Sequence, residues 1–338
     1  MIKIPTVLIL GAGASWDYGF PVGEGLRNQI CREINGGIYP YLEQNWKRSE
    51  VQSFGRHLLQ SRISVDAFLE DHPEYLDIGK FAIASKLLPC ENERSLYRNW
   101  LYPEKTQIKG KNHWYDILFG KLIDGADFDN FKDNKLSVIT FNYDRSFEHF
   151  LFNSFKSSRK KAKENETDCI SQVSSIEVVH VYGSLGRLPW QSDSGLLKGV
   201  PEVDYSALGD GGDMPPKIAT IKLAADSIDL MRDGSGDTPA FSRAKELLQQ
   251  ARRIYILGFG FNMTNLKRLS LLDTYFHTEN IQGTAHNLPT QLLTEIKQIK
   301  YVESIEDAPP RKNLENRFNL YGQTVYDFLY KNPNGFLD

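Results

Sequence analysis

The sequence contains few cysteines and no long apolar run, and each scarcity excludes a class of protein. Its three cysteines, Cys31, Cys90 and Cys169, lie far apart and form no C-x-x-C pair. Neither a disulfide framework nor a zinc ribbon is expected, and a reducing, cytoplasmic setting fits the chain. No apolar run approaches the roughly 18 residues of a transmembrane helix, so no membrane contact is expected. The first five residues lead directly into a predicted strand, which leaves no room for a signal peptide.

Acidic and basic residues are present in nearly equal numbers. The net charge is −3 over 338 residues, so the chain does not attract nucleic acid strongly, and direct binding of nucleic acid is not expected. The charged fraction of 25% and the apolar fraction of 41% are ordinary for a globular protein. A chain of this length forms one large α/β domain or two smaller ones.

A short apolar run that leads into a glycine-spaced turn organises the sequence. Residues 6–10, Thr-Val-Leu-Ile-Leu, are typical of a strand buried on both faces of a parallel sheet, and Gly-Ala-Gly-Ala-Ser follows at 11–15. Gly11 and Gly13 let the backbone approach a ligand closely. A helix beginning near Ser15 would point its free N–H groups and its dipole at the same place, which predicts a diphosphate-binding loop. Trp16 stands where the Rossmann fingerprint G-x-G-x-x-G has its third glycine.

Three further strand-like runs end in glycine or Asn/Asp turns. They are residues 136–140 before Phe-Asn-Tyr-Asp, residues 178–182 before Gly183 and Ser184, and residues 253–257 before Gly-Phe-Gly-Phe-Asn. Ligands bind at the carboxyl ends of the strands in open parallel sheets, so these turns are expected to form one site. Strands that alternate with helices predict an α/β fold with a doubly wound, Rossmann-like parallel sheet.

The remaining pattern divides the chain into a core and an insertion. Residues 24–132 read as a large helical insertion, residues 1–23 and 133–303 as the nucleotide-binding core, and residues 304–338 as a C-terminal segment with a closing helix over 313–330. Further helices are expected near 65–70, 78–88, 145–155, 239–252 and 263–272, a strand at 218–223, and edge strands near Ile281 and Ile299. A loop is expected at 209–216, and a solvated loop or a frayed helix end at 157–171.

The polar residues at these turns each have a structural alternative. Asn142 can hold a water or a ribose hydroxyl without changing charge, yet Asn after a strand is also a common turn or helix-cap residue. The same two interpretations apply to Asp144. His180 and Tyr182 fall on one face of a strand with a period of two. A single histidine there is usually structural, whereas two polar rings before a glycine turn also indicate a site.

The order of these motifs resembles that of the sirtuin-like NAD-binding family, from residue 6 to about residue 270. Gly-Ala-Gly-Ala-Ser followed by Gly-Phe-Pro, residues 11–21, is similar to the opening motif of that family. Residues 140–144 are similar to its Thr-x-Asn-x-Asp motif, residues 182–184 to its His-Gly-Ser motif, and residues 257–265 to its late nucleotide motif. The helical insertion and the missing zinc cysteines resemble the bacterial NAD hydrolases of antiphage defence rather than the zinc-bearing deacylases.

This resemblance implies an NAD glycohydrolase with a single sirtuin-like domain over residues 1–338. NAD is then the substrate, no metal is required, and a homo-oligomer or a partner protein, such as a DNA-translocating ATPase or a short Argonaute, controls activity. Asn142 would position water or ribose, and Asp144 would hold the site. The other binding residues are Gly11, Ala12, Gly13 and Ser15 for the diphosphate and Gly258, Phe259 and Asn262 for the adenosine half, with Gly183 and Ser184 also among the nucleotide-binding residues.

One position departs from the family pattern. The family's histidine immediately precedes the glycine, whereas this chain has Tyr182 there and His180 two residues earlier. The ordinary pKa of histidine, about 6.5, suits a general base better than that of tyrosine, about 10. We therefore expect His180 to take the proton and Tyr182 to orient the substrate, with the tyrosine position as the alternative base. The rival hypothesis is a non-catalytic sensor or scaffold subunit that binds NAD or ADP-ribose.

Overall fold

A single six-stranded sheet, with every strand parallel to its neighbours, forms the centre of the molecule. The structure is a computed structural model that describes residues 1–34, 36–97, 113–206, 217–230, 238–271, 280–293 and 318–331. The strands are β1 (Thr6–Leu10), β2 (Leu136–Thr140), β3 (Glu177–His180), β4 (Arg253–Leu257), β5 (Asn280–Thr284) and β6 (Phe318–Tyr321). Their spatial order is β3-β2-β1-β4-β5-β6, which is the order of doubly wound dinucleotide-binding sheets. The predicted Rossmann-like α/β fold is confirmed.

The register of the sheet brings the strand ends to one level. Leu10 of β1 pairs with Thr140 of β2 on one side and with Leu257 of β4 on the other. All five residues of β1 are buried, as its uninterrupted apolar sequence predicts for a strand covered on both faces. The turns that follow β1, β2 and β4 therefore start side by side.

Helices cover the sheet and form the insertion between β1 and β2. The insertion contains α1 (Gly23–Glu33), α2 (Tyr39–Leu42), α3 (Arg48–Ser61), α4 (Val65–Asp71), α5 (Leu76–Leu87), α6 (Glu93–Leu96) and α7 (Trp114–Ile123). After β2 come α8 (Ser146–Ser158), α9 (Lys160–Glu164), α10 (Glu166–Val173), α11 (Ile218–Asp226), α12 (Pro239–Gln250), α13 (Met263–Arg268) and α14 (Val325–Lys331). In the parts of residues 24–132 that the structure describes there is no strand, as the sequence predicts. None of the helices in the described ranges is long and apolar enough to cross a bilayer.

The expected helix after the glycine turn does not begin at Ser15. Two short 3₁₀ turns, Ala12–Ala14 and Trp16–Tyr18, occupy this stretch, and α1 begins only at Gly23. Gly19 ends the second turn in the left-handed region, at φ 92°, and Pro21 follows without an N–H to donate. The backbone therefore leaves β1 by a tight coil, and no long helix dipole points at the glycine loop.

Other local predictions are wrong where tertiary packing decided the conformation. Residues 218–223 lie in helix α11, whose buried residues Ile221, Ala224 and Ala225 have helical spacing. The stretch 157–171, expected as a solvated loop or a frayed helix end, contains α9 and most of α10, and the Asn165 side chain caps α10 by accepting from the Asp168 N–H. Of the closing helix expected over 313–330, the described part contains strand β6, paired with β5, and then a helix only from Val325, α14. The strand near Ile281 is confirmed as β5, and α13 ends at Arg268. The expected strand near Ile299 and loop at 209–216 lie outside the described residues.

Candidate functional site

The loops after β1 and β4 meet where the strand order of the sheet reverses. Gly13 donates its N–H to the Gly258 carbonyl at 2.9 Å, and Gly11 donates to the Leu257 carbonyl at 3.0 Å. In open α/β sheets the crevice outside this reversal point is where ligands bind. The predicted gathering of the strand-end turns is therefore observed for these two loops.

The three glycines of these loops are required by contact between the loops themselves. A Cβ added to Gly11 would lie 2.6 Å from the Cα of Phe259, and one added to Gly13 would lie 2.9 Å from the Gly258 carbonyl oxygen. Gly258 has a φ of +61°, and its Cβ would lie 2.1 Å from the Ala14 nitrogen. No larger residue fits without a shift of backbone, so packing accounts for these glycines even without a ligand.

Most N–H groups of the 11–15 loop are already used within the protein. Besides those of Gly11 and Gly13, the N–H of Ala14 bonds the Gly11 carbonyl at 2.8 Å, and that of Ser15 bonds the Ala12 carbonyl at 3.2 Å. Within the described part of the chain, only the N–H of Ala12 in this loop has no acceptor. The loop therefore offers a diphosphate one backbone donor in this arrangement.

Asn142 joins the loop after β2 to the loop after β1. Its side-chain amide donates to the Gly11 carbonyl and to the Ser15 hydroxyl, each at 3.0 Å, and its own N–H bonds the Thr140 hydroxyl at 3.0 Å. The residue is only 9% exposed, and its amide oxygen accepts no hydrogen bond from the described residues. The Asn142 side chain therefore does not cap α8. Its amide oxygen is the side-chain atom of Asn142 that a ligand can use as an acceptor.

Asp144 lies on the same loop, two residues before helix α8 begins at Ser146. Its carboxylate accepts from the N–H of Ser146 at 3.2 Å and from the Ser146 hydroxyl. Burial raises the pKa of Asp144 to about 6, although hydrogen bonds from Ser146 and Ser15 act in the opposite direction. Asp144 is not the N-cap of α8, because Arg145 stands at that position, but its carboxylate binds the first N–H of the helix, and its pKa is about 6.

His180, the last residue of β3, has both ring nitrogens engaged. Nδ1 lies 2.8 Å from the Asn142 carbonyl oxygen, and Nε2 lies 2.6 Å from a carboxylate oxygen of Glu148. Burial by itself lowers the pKa of His180, but the Glu148 carboxylate outweighs it, and the pKa is raised. A carbonyl oxygen can only accept, so Nδ1 carries a hydrogen, and Nε2 is paired with the Glu148 carboxylate. Neither ring nitrogen is therefore without a partner.

Glu148 is a residue of the site that the sequence interpretation missed. It lies on α8 and is buried together with Leu151, Phe152 and Phe155, which follow it at helical spacing. The sequence did contain an indication of this role, namely a carboxylate within the apolar face of a predicted helix. Such a carboxylate is rarely buried unless it is paired. Its partner, His180, is 32 positions away in sequence and could not be identified from a local pattern.

Tyr182 does not share the environment of His180. Strand β3 ends at His180, and the chain turns before Tyr182, whose hydroxyl donates to the Asn265 side chain at 2.5 Å and accepts from Arg268 at 2.8 Å. Arg268 also pairs with Glu70 of α4 at 2.6 Å. The prediction that the two rings share one strand face is wrong, because the strand period does not continue through the turn at Gly183.

Several other predicted binding residues have structural partners. Phe259 is buried against Phe141, with ring centroids 4.9 Å apart, and the exposed Asn262 caps α13 by accepting from the Thr264 N–H at 2.8 Å. The Ser184 hydroxyl donates to the Gly186 carbonyl at 2.9 Å. A Cβ on Gly183 would lie 2.2 Å from the Ser227 carbonyl oxygen. These contacts hold the strand-end loops together, and ligand contact by these residues stays a prediction.

We call Ser15, Asn142, Asp144, Glu148 and His180 the strand-end cluster. An open depression along α7 is separate from it, because none of the lining residues Asp116, Gly120, Asp124 or Arg159 belongs to the strand-end loops. Comparison with protein-family models and with curated protein sequences finds no match to this chain. A function for this protein therefore has to be inferred from the strand-end cluster.

Proposed function

We propose that this protein is an NAD glycohydrolase, which cleaves NAD to nicotinamide and ADP-ribose. The observation that carries the proposal is the position of Asn142 beside the reversal point of a dinucleotide-type sheet. Its amide group is held by the Gly11 carbonyl and the Ser15 hydroxyl, while its amide oxygen accepts nothing from the described residues. A held amide with a free oxygen suits a water or a ribose hydroxyl, both of which can donate to it.

The chemistry of NAD suits a site with these groups. The bond between the ribose carbon and the pyridinium nitrogen breaks, the bonding electrons return to nitrogen, and nicotinamide leaves as a neutral molecule without a general acid. The ribose passes through an oxocarbenium-like state, and a water oxygen bonds the same carbon and loses a proton. Asn142 would orient that water or the ribose. Asp144, with a pKa of about 6, is suited to take the proton at neutral pH.

The test is the release of nicotinamide from NAD by the purified protein, measured by chromatography. Replacing Asn142 with alanine should lower the rate by about two to three orders of magnitude, as for the loss of one hydrogen bond made in the transition state. Asn92→Ala is the matched control, because Asn92 caps α6 by accepting from the Ser95 N–H. Full turnover by Asn142→Ala, with only its melting temperature lowered, would contradict the proposal.

Control of the activity is part of the proposal, because unrestrained NAD hydrolysis poisons the cell that makes the enzyme. We place the protein among regulated effectors of bacterial antiphage defence, activated by assembly into a homo-oligomer or by a partner such as a DNA-translocating ATPase or a short Argonaute. Turnover should therefore be measured with the protein alone and with the product of the neighbouring gene, and compared with oligomer mass under the same conditions.

A second candidate is a non-catalytic sensor or scaffold subunit that binds NAD or ADP-ribose. The engagement of both His180 nitrogens and of the Tyr182 hydroxyl favours it, because neither side chain is free to act as a base. Calorimetry with ADP-ribose distinguishes the two. Binding without nicotinamide release, alone and with the partner, would support the sensor.

A further inference from the structure

A buried chain of hydrogen bonds runs from helix α8 through His180 to the backbone carbonyl of Asn142. Glu148 contacts His180 Nε2 at 2.6 Å, and His180 Nδ1 contacts the Asn142 carbonyl at 2.8 Å. The side chains of His180 and Glu148 are 9% and 5% exposed. The backbone N–H of Asn142 bonds the Thr140 hydroxyl at 3.0 Å. The backbone of Asn142 is thus held on both its N–H and its carbonyl side.

From this geometry we propose that Glu148 and His180 are positioning residues that act as one unit to hold Asn142 in place. His180 then does not take the proton of the attacking water. The proposal rests on the proposed NAD hydrolysis, and it replaces the role of base that the sequence suggested for His180.

The donor and acceptor chemistry fixes the state of the histidine. A backbone carbonyl can only accept, so His180 Nδ1 must carry a hydrogen. Nε2 faces the Glu148 carboxylate at a distance typical of a short charge-assisted bond, so it carries one as well. A ring with two N–H groups is positively charged and cannot act as a base. The raised pKa of His180 agrees with this state.

The burial of the pair argues for positioning rather than for stability alone. Taking a carboxylate and an imidazolium out of water costs free energy that their attraction only partly offsets, and an apolar pair of similar size is often as stable. The ion pair also fixes the orientation of the His180 ring, because both ring nitrogens make short contacts. The histidine ring thereby holds the backbone carbonyl of Asn142, the residue whose side-chain amide donates to the Gly11 carbonyl and the Ser15 hydroxyl.

The kinetic test compares wild type with Glu148→Gln, His180→Gln and the double variant. Each single change should lower kcat for nicotinamide release by about 10- to 100-fold, the effect of a small misplacement, while KM stays within about twofold. The double variant should be no slower than the slower single variant, because the two residues form one unit. Glu177→Gln is the matched control, since Glu177 begins the same strand and pairs with Arg243 at 2.8 Å.

Two outcomes would overturn the proposal. If His180→Gln abolishes turnover while Glu148→Gln retains it fully, the histidine is the base. If the effects of the two changes multiply in the double variant, the residues act separately. Calorimetry with ADP-ribose on the same proteins shows whether a loss of turnover reflects a loss of binding.

A measurement that does not use activity separates this proposal from the proposed function. In NMR spectra, both ring nitrogens of His180 should carry hydrogen at neutral pH, and Glu148→Gln should remove one of them. The side-chain amide signals of Asn142, identified by their loss in Asn142→Ala, should shift in Glu148→Gln and His180→Gln but not in Glu177→Gln. Unchanged Asn142 signals would refute the positioning role whether or not NAD is hydrolysed. A wild-type protein that never releases nicotinamide would refute only the proposed function.

Discussion

Gly13 and Gly258 touch backbone to backbone, with the Gly13 N–H 2.9 Å from the Gly258 carbonyl oxygen. They lie 245 positions apart in sequence (258 − 13), and their contact joins the loops of the two central strands β1 and β4 at the reversal point. A close approach of this kind leaves no room for a side chain on either residue. The glycines therefore fix the position of the loop that carries Ser15, on which the amide of Asn142 depends.

The first prediction concerns this contact. Gly13→Ala should destabilise the fold by about 1–3 kcal/mol, because the added carbon forces the two loops apart. Gly260→Ala is the control, since a Cβ at Gly260 meets nothing within 4 Å. Urea unfolding of the two variants measures the difference. If Gly13→Ala unfolds like wild type but loses ADP-ribose binding, the glycine serves the diphosphate instead.

The second prediction concerns the pH dependence that Asp144 contributes. Its pKa is raised from an ordinary value near 3.8 to about 6 in the folded state. Well below pH 3.8 the group is protonated in both states, and as the pH rises toward about 6 the unfolded state loses its proton first, so stability falls. Asp144→Asn should therefore be more stable than wild type by about 2–3 kcal/mol at pH 7 and equal to it near pH 3.5. Urea midpoints at the two pH values test this.

The same substitution should also separate stability from activity. If Asp144 takes the proton of the attacking water, Asp144→Asn gains stability at pH 7 and loses nicotinamide release, as expected for a strained functional carboxyl. A stabilised variant with unchanged turnover would leave Asp144 with a structural role only, as an acceptor for the N–H and hydroxyl of Ser146. Absence of any stabilisation at pH 7 would contradict the burial effect on its pKa.

The third prediction concerns the ion pair of Glu91 and Arg145, each with a side chain 1% exposed. Arg145 also donates to the Val203 carbonyl at 2.5 Å, and its N–H bonds Glu91 at 2.8 Å. Glu91→Gln leaves the buried guanidinium without a counter-charge and should cost about 3–5 kcal/mol. The half-exposed pair of Glu177 and Arg243 is the comparison, and Glu177→Gln should cost less than about 1 kcal/mol. Equal costs in denaturant titrations would contradict this account.

The fourth prediction concerns the hydroxyl of Tyr182. Tyr182→Phe removes its bonds to Asn265 and Arg268 and should cost about 1–3 kcal/mol, because buried polar groups lose their partner. Turnover of NAD should survive, since burial raises the pKa of Tyr182 and disfavours the phenolate that a base would need. Tyr330→Phe, at an exposed residue of α14, is the control. Loss of nicotinamide release by a stably folded Tyr182→Phe would restore the tyrosine as the base.

The sequence by itself predicted the class of the fold and the central strands of its sheet. Strands β1, β2 and β4 are short apolar runs followed by glycine or asparagine turns, and such runs are buried on both faces wherever the chain places them. The helical insertion could also be predicted, because helical spacing of apolar residues is a local property. The convergence of Gly11, Asn142 and Gly258 followed from one rule about the carboxyl ends of parallel strands.

Only the tertiary structure determined which partner each polar side chain contacts. Glu148 meets His180 only when α8 packs beside β3, and Tyr182 turns toward Arg268 only because the chain bends at Gly183. Strand β6 forms because β5 offers it an open edge, against the helical prediction for that stretch. A periodic pattern in the sequence predicts which face of a helix or strand is buried. It does not predict the hydrogen bonds and ion pairs made at that face, because these join residues that are distant in sequence and depend on how the elements pack.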